Sequence, residues 1–128
     1  MYKLTVESHF SAAHRLEGYP GKCANIHGHT WRVIASVRAD ELDDIGMCID
    51  FKKISRSLDE IVEGFDHRML NEIPPFAPMN PTAENISRII FERLSERINS
   101  DMVTVVSVTV SESDKYRVTY SRSTGDDT

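Results

Sequence analysis

The chain has 128 residues, which is enough for one domain with its own hydrophobic core. It is 40% hydrophobic and 27% charged, and 15 basic against 20 acidic residues give a net charge of −5. This balance argues against nucleic acid or an anionic membrane as the main partner, although a local basic cluster could still bind an anionic small molecule. Because no apolar run is long enough to span a bilayer and no signal-peptide pattern is present, we expect a cytoplasmic protein with reduced cysteines.

Two alternating segments predict the first two strands. In the segment from Tyr2 to His14, the apolar residues fall on one face and the polar residues on the other. The segment from His27 to Ala39 alternates in the same way from Trp31 onwards. By parity, His14 lies on the apolar face of the first strand, and His27 and His29 lie on the apolar face of the second.

The stretch from His14 to His29 contains three of the five histidines. His27 and His29 leave the same face of a strand, and a hairpin through the turn-rich residues 18–21 would bring His14 beside them. Three neutral imidazoles with an open fourth position are typical of a catalytic zinc site. Cys23, four residues before His27, could be a fourth ligand or a reactive thiol next to the metal. Alternatively, each imidazole is simply hydrogen-bonded to backbone or to a carboxylate.

Two helical patterns follow. Apolar residues recur at helical spacing from Phe51 to Phe65, and Asp50 is placed as the N-cap of that helix. Asn80 and Pro81 predict the cap and the first residue of a second helix, whose apolar stripe runs from Ile86 to Ile98.

Two further strands complete the predicted fold. Val106, Val108 and Val110 alternate on one face, Glu112 continues that face, and a last strand ends near Tyr120. The resulting order β-β-α-α-β-β predicts an α+β fold with a four-stranded antiparallel sheet and two helices on one face. We expect a single domain over residues 1–122 and a disordered polar tail over residues 123–128. The open edges of such a sheet favour closure through oligomerisation.

Three residues outside the histidine cluster have both a structural and a functional interpretation. Asp66 and His67 form a surface pair, unless the fold brings His67 near Cys23, where it could relay a proton. Glu112 is either an exposed strand end or the rim of a pocket. In a pocket, its carboxylate could accept hydrogen bonds from the ring N–H and the exocyclic amine of a guanine-like heterocycle. Because Glu112 shares the parity of Val106, Val108 and Val110, the sequence favours the interpretation that it lies at a pocket.

Five motifs resemble the 6-pyruvoyl-tetrahydropterin synthase family. In chain order they are F-S-A-A-H-R-L (residues 10–16), C-A-N-I-H-G-H (23–29), D-H-R-M-L-N (66–71), P-T-A-E-N (81–85) and V-S-E-S (110–113). They occur in the family's order and are spread over nearly the whole chain, from residue 10 to residue 113. The resemblance implies the tunnelling (T) fold, with the same β-β-α-α-β-β order. It also implies trimers whose strands close a barrel and which pair into homohexamers, with active sites between subunits.

The resemblance also implies roles for individual residues that match the family motifs. The implied cofactor is Zn²⁺ and the implied substrate is a pterin. The implied zinc ligands are His14, His27 and His29. The implied proton acceptor is Cys23, with Asp66 and His67 as its relay. The implied pterin contacts are Thr82, Glu84 and Glu112, and Glu112 is sometimes counted in the relay as well.

Two parts of the implied substrate site are less well defined. Ala83 departs from the second threonine of animal members, so its contact with the ring should come from elsewhere. The triphosphate must meet basic residues, for which Lys22, Arg15 and Arg68 are the candidates by position.

The three residues between Cys23 and His27 resemble the bacterial 6-carboxy-tetrahydropterin synthases of queuosine biosynthesis, because the animal pyruvoyl-forming enzymes have a longer spacer. The implied reaction converts 7,8-dihydroneopterin triphosphate and water into 6-carboxy-5,6,7,8-tetrahydropterin, acetaldehyde and triphosphate. Two alternatives stay open. One is the pyruvoyl-forming synthase, which releases no acetaldehyde. The other is a non-enzymatic, zinc-stabilised module in which Cys23 completes a closed four-ligand site.

Overall fold

A computed structural model describes residues 1–18, 21 and 25–122, in which five strands form one sheet and two helices pack against it. The α+β class predicted from the sequence is confirmed, whereas the predicted tail at residues 123–128 lies outside the described residues. In chain order the elements are β1 (Tyr2–His14), β2 (His27–Ala39), α1 (Phe51–Glu63), β3 (Arg68–Met69), a short 3₁₀ turn (Leu70–Glu72), α2 (Ala83–Ile98), β4 (Val103–Ser111) and β5 (Arg117–Tyr120). The order of the strands in the sheet is β3-β1-β2-β4-β5.

The long antiparallel pairing of β1 with β2 is the centre of the sheet. It runs without interruption from Tyr2 opposite Ala39 to His14 opposite His27. Phe10 lies opposite Trp31, and their buried rings stack with centroids 6.0 Å apart. The faces predicted from the alternation are therefore the faces observed, and both strands turn their apolar side towards the helices.

The two-residue strand β3 adds a fifth strand to the four antiparallel strands expected. It pairs in parallel with β1 at Ala12 and Ala13. Two side-on contacts hold it there: the backbone N–H of Ser11 donates to Asp66 Oδ1 at 2.8 Å, and the backbone N–H of His67 donates to the Ser11 carbonyl. A strand of two residues has no measurable alternation, so hydrophobic periodicity does not predict it.

Side-chain caps set the start of both helices. Asp50 caps α1 as predicted, because its carboxylate accepts from the Lys52 N–H at 2.8 Å. The cap predicted for α2 is wrong by two residues: the N-cap is Thr82, whose Oγ1 accepts from the Asn85 N–H at 3.1 Å. The amide of Asn80 is instead bonded to a distant part of the chain. Among the described residues, no helix is long and apolar enough to cross a membrane.

A β-bulge in β4 changes which of its valines face the core. Ser36 pairs with Ser107 but Val37 pairs with Val105, so Val106 is the extra residue. The bulge shifts the parity of the strand, so Val105 joins Val108 and Val110 in the core cluster, whereas Val106 is buried outside that cluster. The predicted face is therefore observed for Val108 and Val110, and the alternation is interrupted at the bulge.

The α1 cap provides a test of this local structure. Asp50→Ala removes the oxygen that accepts from the Lys52 N–H, and we expect the free energy of unfolding to fall by about 1 kcal/mol. Asp50→Asn keeps an accepting oxygen and should retain most of that stability. Urea denaturation of both variants at one protein concentration measures the difference. Equal losses in the two variants would show that the hydrogen bond is not what Asp50 contributes.

Candidate metal centre and active site

Three imidazoles meet on the core face at the open end of the β1–β2 pair. His14 lies directly opposite His27, and His29 lies opposite Ala12, one pleat further along the same face. The ring centroids are 4.5 Å apart for His14 and His27, 5.3 Å for His14 and His29, and 4.9 Å for His27 and His29. One ligand atom from each residue lies within 4.8 Å of the other two, so the structure brings together the trio selected from the sequence.

The indole of Trp31 supports two of these rings. Its centroid lies 4.9 Å from that of His14 and 5.1 Å from that of His29, and both pairs meet edge to face. Trp31 is fully buried, and its Nε1–H donates to the Ala12 carbonyl at 3.3 Å. His14 and His29 are therefore packed on a rigid aromatic base, which restricts the orientations of these two imidazoles.

Backbone carbonyls determine which nitrogen of two of the rings is available. Nδ1 of His14 is 2.8 Å from the Pro81 carbonyl, and Nδ1 of His27 is 2.8 Å from the Asn25 carbonyl. A carbonyl only accepts, so the proton of each neutral ring is on Nδ1 and the lone pair is on Nε2. This is the second-sphere arrangement typical of metal-binding histidines.

Two of the Nε2 atoms indicate that a ligand is needed. Within the described part of the chain, Nε2 of His14 and Nε2 of His29 are buried and have no hydrogen-bond partner. A buried polar atom without a partner is costly, and most such atoms in proteins are satisfied. Three convergent imidazole nitrogens fit Zn²⁺ and leave a coordination position for another ligand.

Burial favours the metal-binding form of His14 and His29. Burial lowers the pKa of His14, and the neighbouring His27 and His29 lower it further, against the opposing effects of the Pro81 carbonyl and Glu112. Burial also lowers the pKa of His29. A depressed pKa favours the neutral imidazole, which is the protonation state that a metal ion requires.

Glu112 lies next to this trio, directly after β4. Its Oε1 is 3.9 Å from Nε2 of His14, and its side chain is 31% exposed. With Thr82 and Glu84 it lines a cavity of about 570 Å³. The three residues selected as pterin contacts therefore surround one cavity beside the imidazoles.

Asp66 and His67 form a side-chain pair at the start of β3. Asp66 Oδ2 lies 3.0 Å from His67 Nδ1, and His67 adopts a left-handed backbone conformation (φ 58°) with its side chain 81% exposed. The hydrogen bond from the Ser11 N–H lowers the pKa of Asp66, and His67 lowers it further. The pair forms because this segment is not helical, so consecutive side chains can meet. Cys23, the predicted partner of His67, lies outside the described residues.

The residues predicted to meet the triphosphate are not among the described residues that line the Glu112 cavity. Arg15 is exposed and pairs with Glu17 at 3.2 Å, Arg68 is exposed in β3, and Lys22 lies outside the described residues. Among the described residues that line the Glu112 cavity, the cations are Lys115 and Arg117. In the sequence, only their position just after Glu112 could have indicated that Lys115 and Arg117 lie near the cavity. Leu16 also lines the cavity, and its position two residues after His14 could have indicated this.

Comparison with known proteins gives consistent results. The sequence profile of the family described as 6-pyruvoyl tetrahydropterin synthase matches residues 3–123. A Synechocystis protein named 6-carboxy-5,6,7,8-tetrahydropterin synthase is 36% identical in an alignment of 101 residues that covers 75% of this chain and 77% of the relative. A Dictyostelium discoideum protein named 6-pyruvoyl tetrahydrobiopterin synthase is 31% identical in an alignment of 103 residues that covers 71% of this chain and 76% of the relative.

A solved structure extends the similarity to the fold. The structure of Caenorhabditis elegans 6-pyruvoyl tetrahydropterin synthase superposes with a TM-score of 0.80 at 31% identity, over 96% of this chain and 98% of that one. The tunnelling fold implied by the sequence motifs is therefore the fold of this chain.

The trio can be tested by metal content. Replacing His14, His27 or His29 by Asn removes one of three converging nitrogens. Loss of a second-sphere partner typically weakens metal binding by roughly 10- to 100-fold. We expect each of these variants, which loses a ligand itself, to weaken zinc binding by more than that. His9→Asn is the matched control, because His9 is exposed on the opposite face of β1. Competition with a chromogenic chelator measures the affinity. Wild-type affinity in all three variants would refute the assignment.

The anchored carboxylate of Asp66 gives a prediction about pH. Its folded-state pKa is depressed, so its contribution to stability is present above the unfolded pKa of about 3.9 and is lost as the pH falls through the folded pKa. The stability difference between wild type and Asp66→Asn should therefore shrink between pH 6 and pH 3. Urea titrations at both pH values measure it, with the exposed Asp44→Asn as a control. A difference that is constant or grows on acidification would contradict the prediction.

Proposed function

Because this chain belongs to the 6-pyruvoyl tetrahydropterin synthase family, a family of enzymes, we propose that it is a 6-carboxy-5,6,7,8-tetrahydropterin synthase. In this reaction, 7,8-dihydroneopterin triphosphate and water give 6-carboxy-5,6,7,8-tetrahydropterin, acetaldehyde and triphosphate, in the biosynthesis of queuosine. The observation that carries the proposal is the convergence of three imidazoles with Glu112 and its cavity. The short spacer between Cys23 and His27 and the names of several relatives favour this branch.

The proposed zinc ligands are His14, His27 and His29. Bound zinc would polarise the side-chain oxygens of the substrate and so acidify the protons on the adjacent carbons. The protein's own contribution is orientation: Trp31 supports two rings, and the Pro81 carbonyl holds His14 so that Nε2 points into the centre. The two buried Nε2 atoms without partners support this role.

The proposed pterin anchor is Glu112. A carboxylate can accept two hydrogen bonds from a ring N–H and an exocyclic amine, a pairing that fixes both the position and the orientation of the ring. The half-buried location of Glu112 at the cavity supports this role, because water competes less there than at an open surface. Thr82 and Glu84 line the same cavity at the start of α2 and are the proposed additional contacts.

Proton transfer is assigned to Cys23, with His67 and Asp66 as its relay. The proposal for Cys23 rests on the family motif in which it lies. The 3.0 Å pairing supports the relay: Asp66 can accept the Nδ1 proton of His67, which leaves Nε2 to exchange a proton. The anchoring of Asp66 to the Ser11 backbone keeps this carboxylate ionised and in place.

The proposed assembly is a homohexamer built from two trimers, in the cytoplasm, with active sites between subunits. The sheet supports it, because among the described residues β3 covers only Ala12 and Ala13 of the outer edge of β1, and β5 forms the opposite edge. Open edges of this kind present unpaired backbone groups that can pair with a strand of another chain. The highly exposed His67 would then complete its environment with a neighbouring subunit.

Product analysis combined with Cys23→Ala tests the proposal. The zinc-loaded wild type should release acetaldehyde and 6-carboxy-5,6,7,8-tetrahydropterin from 7,8-dihydroneopterin triphosphate, both identified by mass spectrometry. Cys23→Ala should lower kcat by about 10²- to 10⁴-fold, the usual contribution of a general acid–base group, and should keep its zinc. Cys48→Ala is the matched control for loss of a thiol, because Cys48 packs against the hydrophobic core.

Two outcomes would point elsewhere. A pyruvoyl product formed without acetaldehyde would assign the chain to the pyruvoyl-forming branch. Loss of zinc together with activity in Cys23→Ala would indicate a closed four-ligand site and a structural role for the metal.

A further inference from the structure

Two asparagine side chains hold the three residues that follow β1. The amide of Asn71 accepts from the Arg15 N–H at 2.9 Å and donates to the Arg15 carbonyl at 3.0 Å. The amide of Asn80 does the same for Glu17, with both distances 2.8 Å. Each side-chain amide therefore satisfies both backbone polar groups of one residue, and the segment from Arg15 to Glu17 is held at both ends.

This segment contributes side chains to two different cavities. Arg15 Nη2 donates to Glu17 Oε1 at 3.2 Å, so these two side chains share one side, and both line a cavity of about 370 Å³. Leu16, between them, lines the cavity of about 570 Å³ that contains Glu112. One apolar side chain therefore lines the candidate substrate cavity, whereas the two charged side chains beside it line the other cavity.

Asn80 also links the segment from Arg15 to Glu17 to the metal centre. Asn80 precedes Pro81, whose carbonyl orients His14, and the Asn80 carbonyl accepts from the Asn85 side chain at 2.8 Å. The loop that fixes the first imidazole therefore also fixes the segment that carries Leu16, and both are tied to the start of α2.

We propose that Leu16 is a specificity-determining contact for the face of the bound heterocycle, and that Asn71 and Asn80 are positioning residues that hold it there. The inference rests on the proposed pterin pocket around Glu112. A flat heterocycle has a polar edge for a carboxylate and apolar faces that require an apolar wall. Leu16, part-buried and pinned on both sides by hydrogen-bonded neighbours, provides such a wall already ordered before the ligand binds.

The first experiment measures ligand affinity in Leu16 variants. The zinc-loaded protein is titrated with 7,8-dihydroneopterin and followed by fluorescence, and KM and kcat are measured with the triphosphate. Leu16→Ala should raise Kd and KM by about 10-fold and change kcat little, because an apolar contact binds ground state and transition state alike. Leu16→Met, which nearly conserves volume, should restore most of the affinity. Wild-type Kd in Leu16→Ala would overturn the proposal.

The second experiment separates positioning from general stability. Asn80→Asp removes the amide donor to the Glu17 carbonyl, and we expect it to raise Kd in the wild type but to add little in the Leu16→Ala background. Asn99→Ala is the control, because Asn99 makes a comparable bond to the Val105 N–H at the far end of α2. It should lower Tm without changing Kd. If Asn80→Asp raises Kd by the same factor in the wild type and in the Leu16→Ala background, Asn80 does not act through Leu16.

A third variant distinguishes failure of this inference from failure of the proposed function. If Glu112→Gln weakens binding of 7,8-dihydroneopterin and Leu16→Ala does not, only the role of Leu16 is refuted. If Glu112→Gln also leaves binding unchanged, the pterin pocket itself is refuted. Should Asn80→Asp fail to fold, the comparison of Leu16→Ala with Leu16→Met still decides the role of Leu16.

Discussion

The antiparallel register that sets His14 opposite His27 is the constraint on which the candidate site depends. A slip by one residue would turn every side chain of one strand to the other face. Such a slip would also remove Phe10 from its contact with Trp31 in the centre of the core. The metal centre is therefore specified by the same packing that stabilises the sheet. The imidazoles occupy the last inward-facing positions at one end of the two paired strands, in phase with the apolar residues.

A second constraint comes from the loop before α2, which bonds to polar groups in β1, in the segment after β1 and at the start of α2. The Pro81 carbonyl accepts from the buried His14, and the Asn80 amide holds Glu17. Thr82 and Asn85 then close the first turn of the helix. Because these bonds converge on residues 80–82, the loop couples the position of α2 to the orientation of a metal ligand and to the wall of the cavity.

The overall charge of the chain describes the site poorly. The net charge of −5 argues against polyanionic macromolecules as partners, yet the cavity beside the imidazoles has both the carboxylates of Glu84 and Glu112 and the cations Lys115 and Arg117 on its walls. A small molecule with both N–H donors and anionic groups can meet complementary charge in such a cavity. Local arrangement, rather than composition, determines what an acidic protein can bind.

The sequence alone determined the elements whose signal is local and repeated. Alternation over 13 residues specified both long strands and the face on which the histidines lie, and helical spacing specified the two helices. Because the period of a strand is two, parity was sufficient to place His14, His27 and His29 on one surface before any pairing was known. The family motifs then supplied roles that periodicity cannot give.

Only the tertiary structure decided features that depend on residues far apart in the chain. The bonds of Asn71 to Arg15 and of Asn80 to Glu17 join residues 56 and 63 positions apart, and no local pattern encodes them. The same long-range bond explains why Asn80, a good cap by residue type, leaves the start of α2 to Thr82. Likewise, the bulge at Val106 and the two residues of β3 follow from what their neighbouring strands require, because a strand's local sequence does not record its partner.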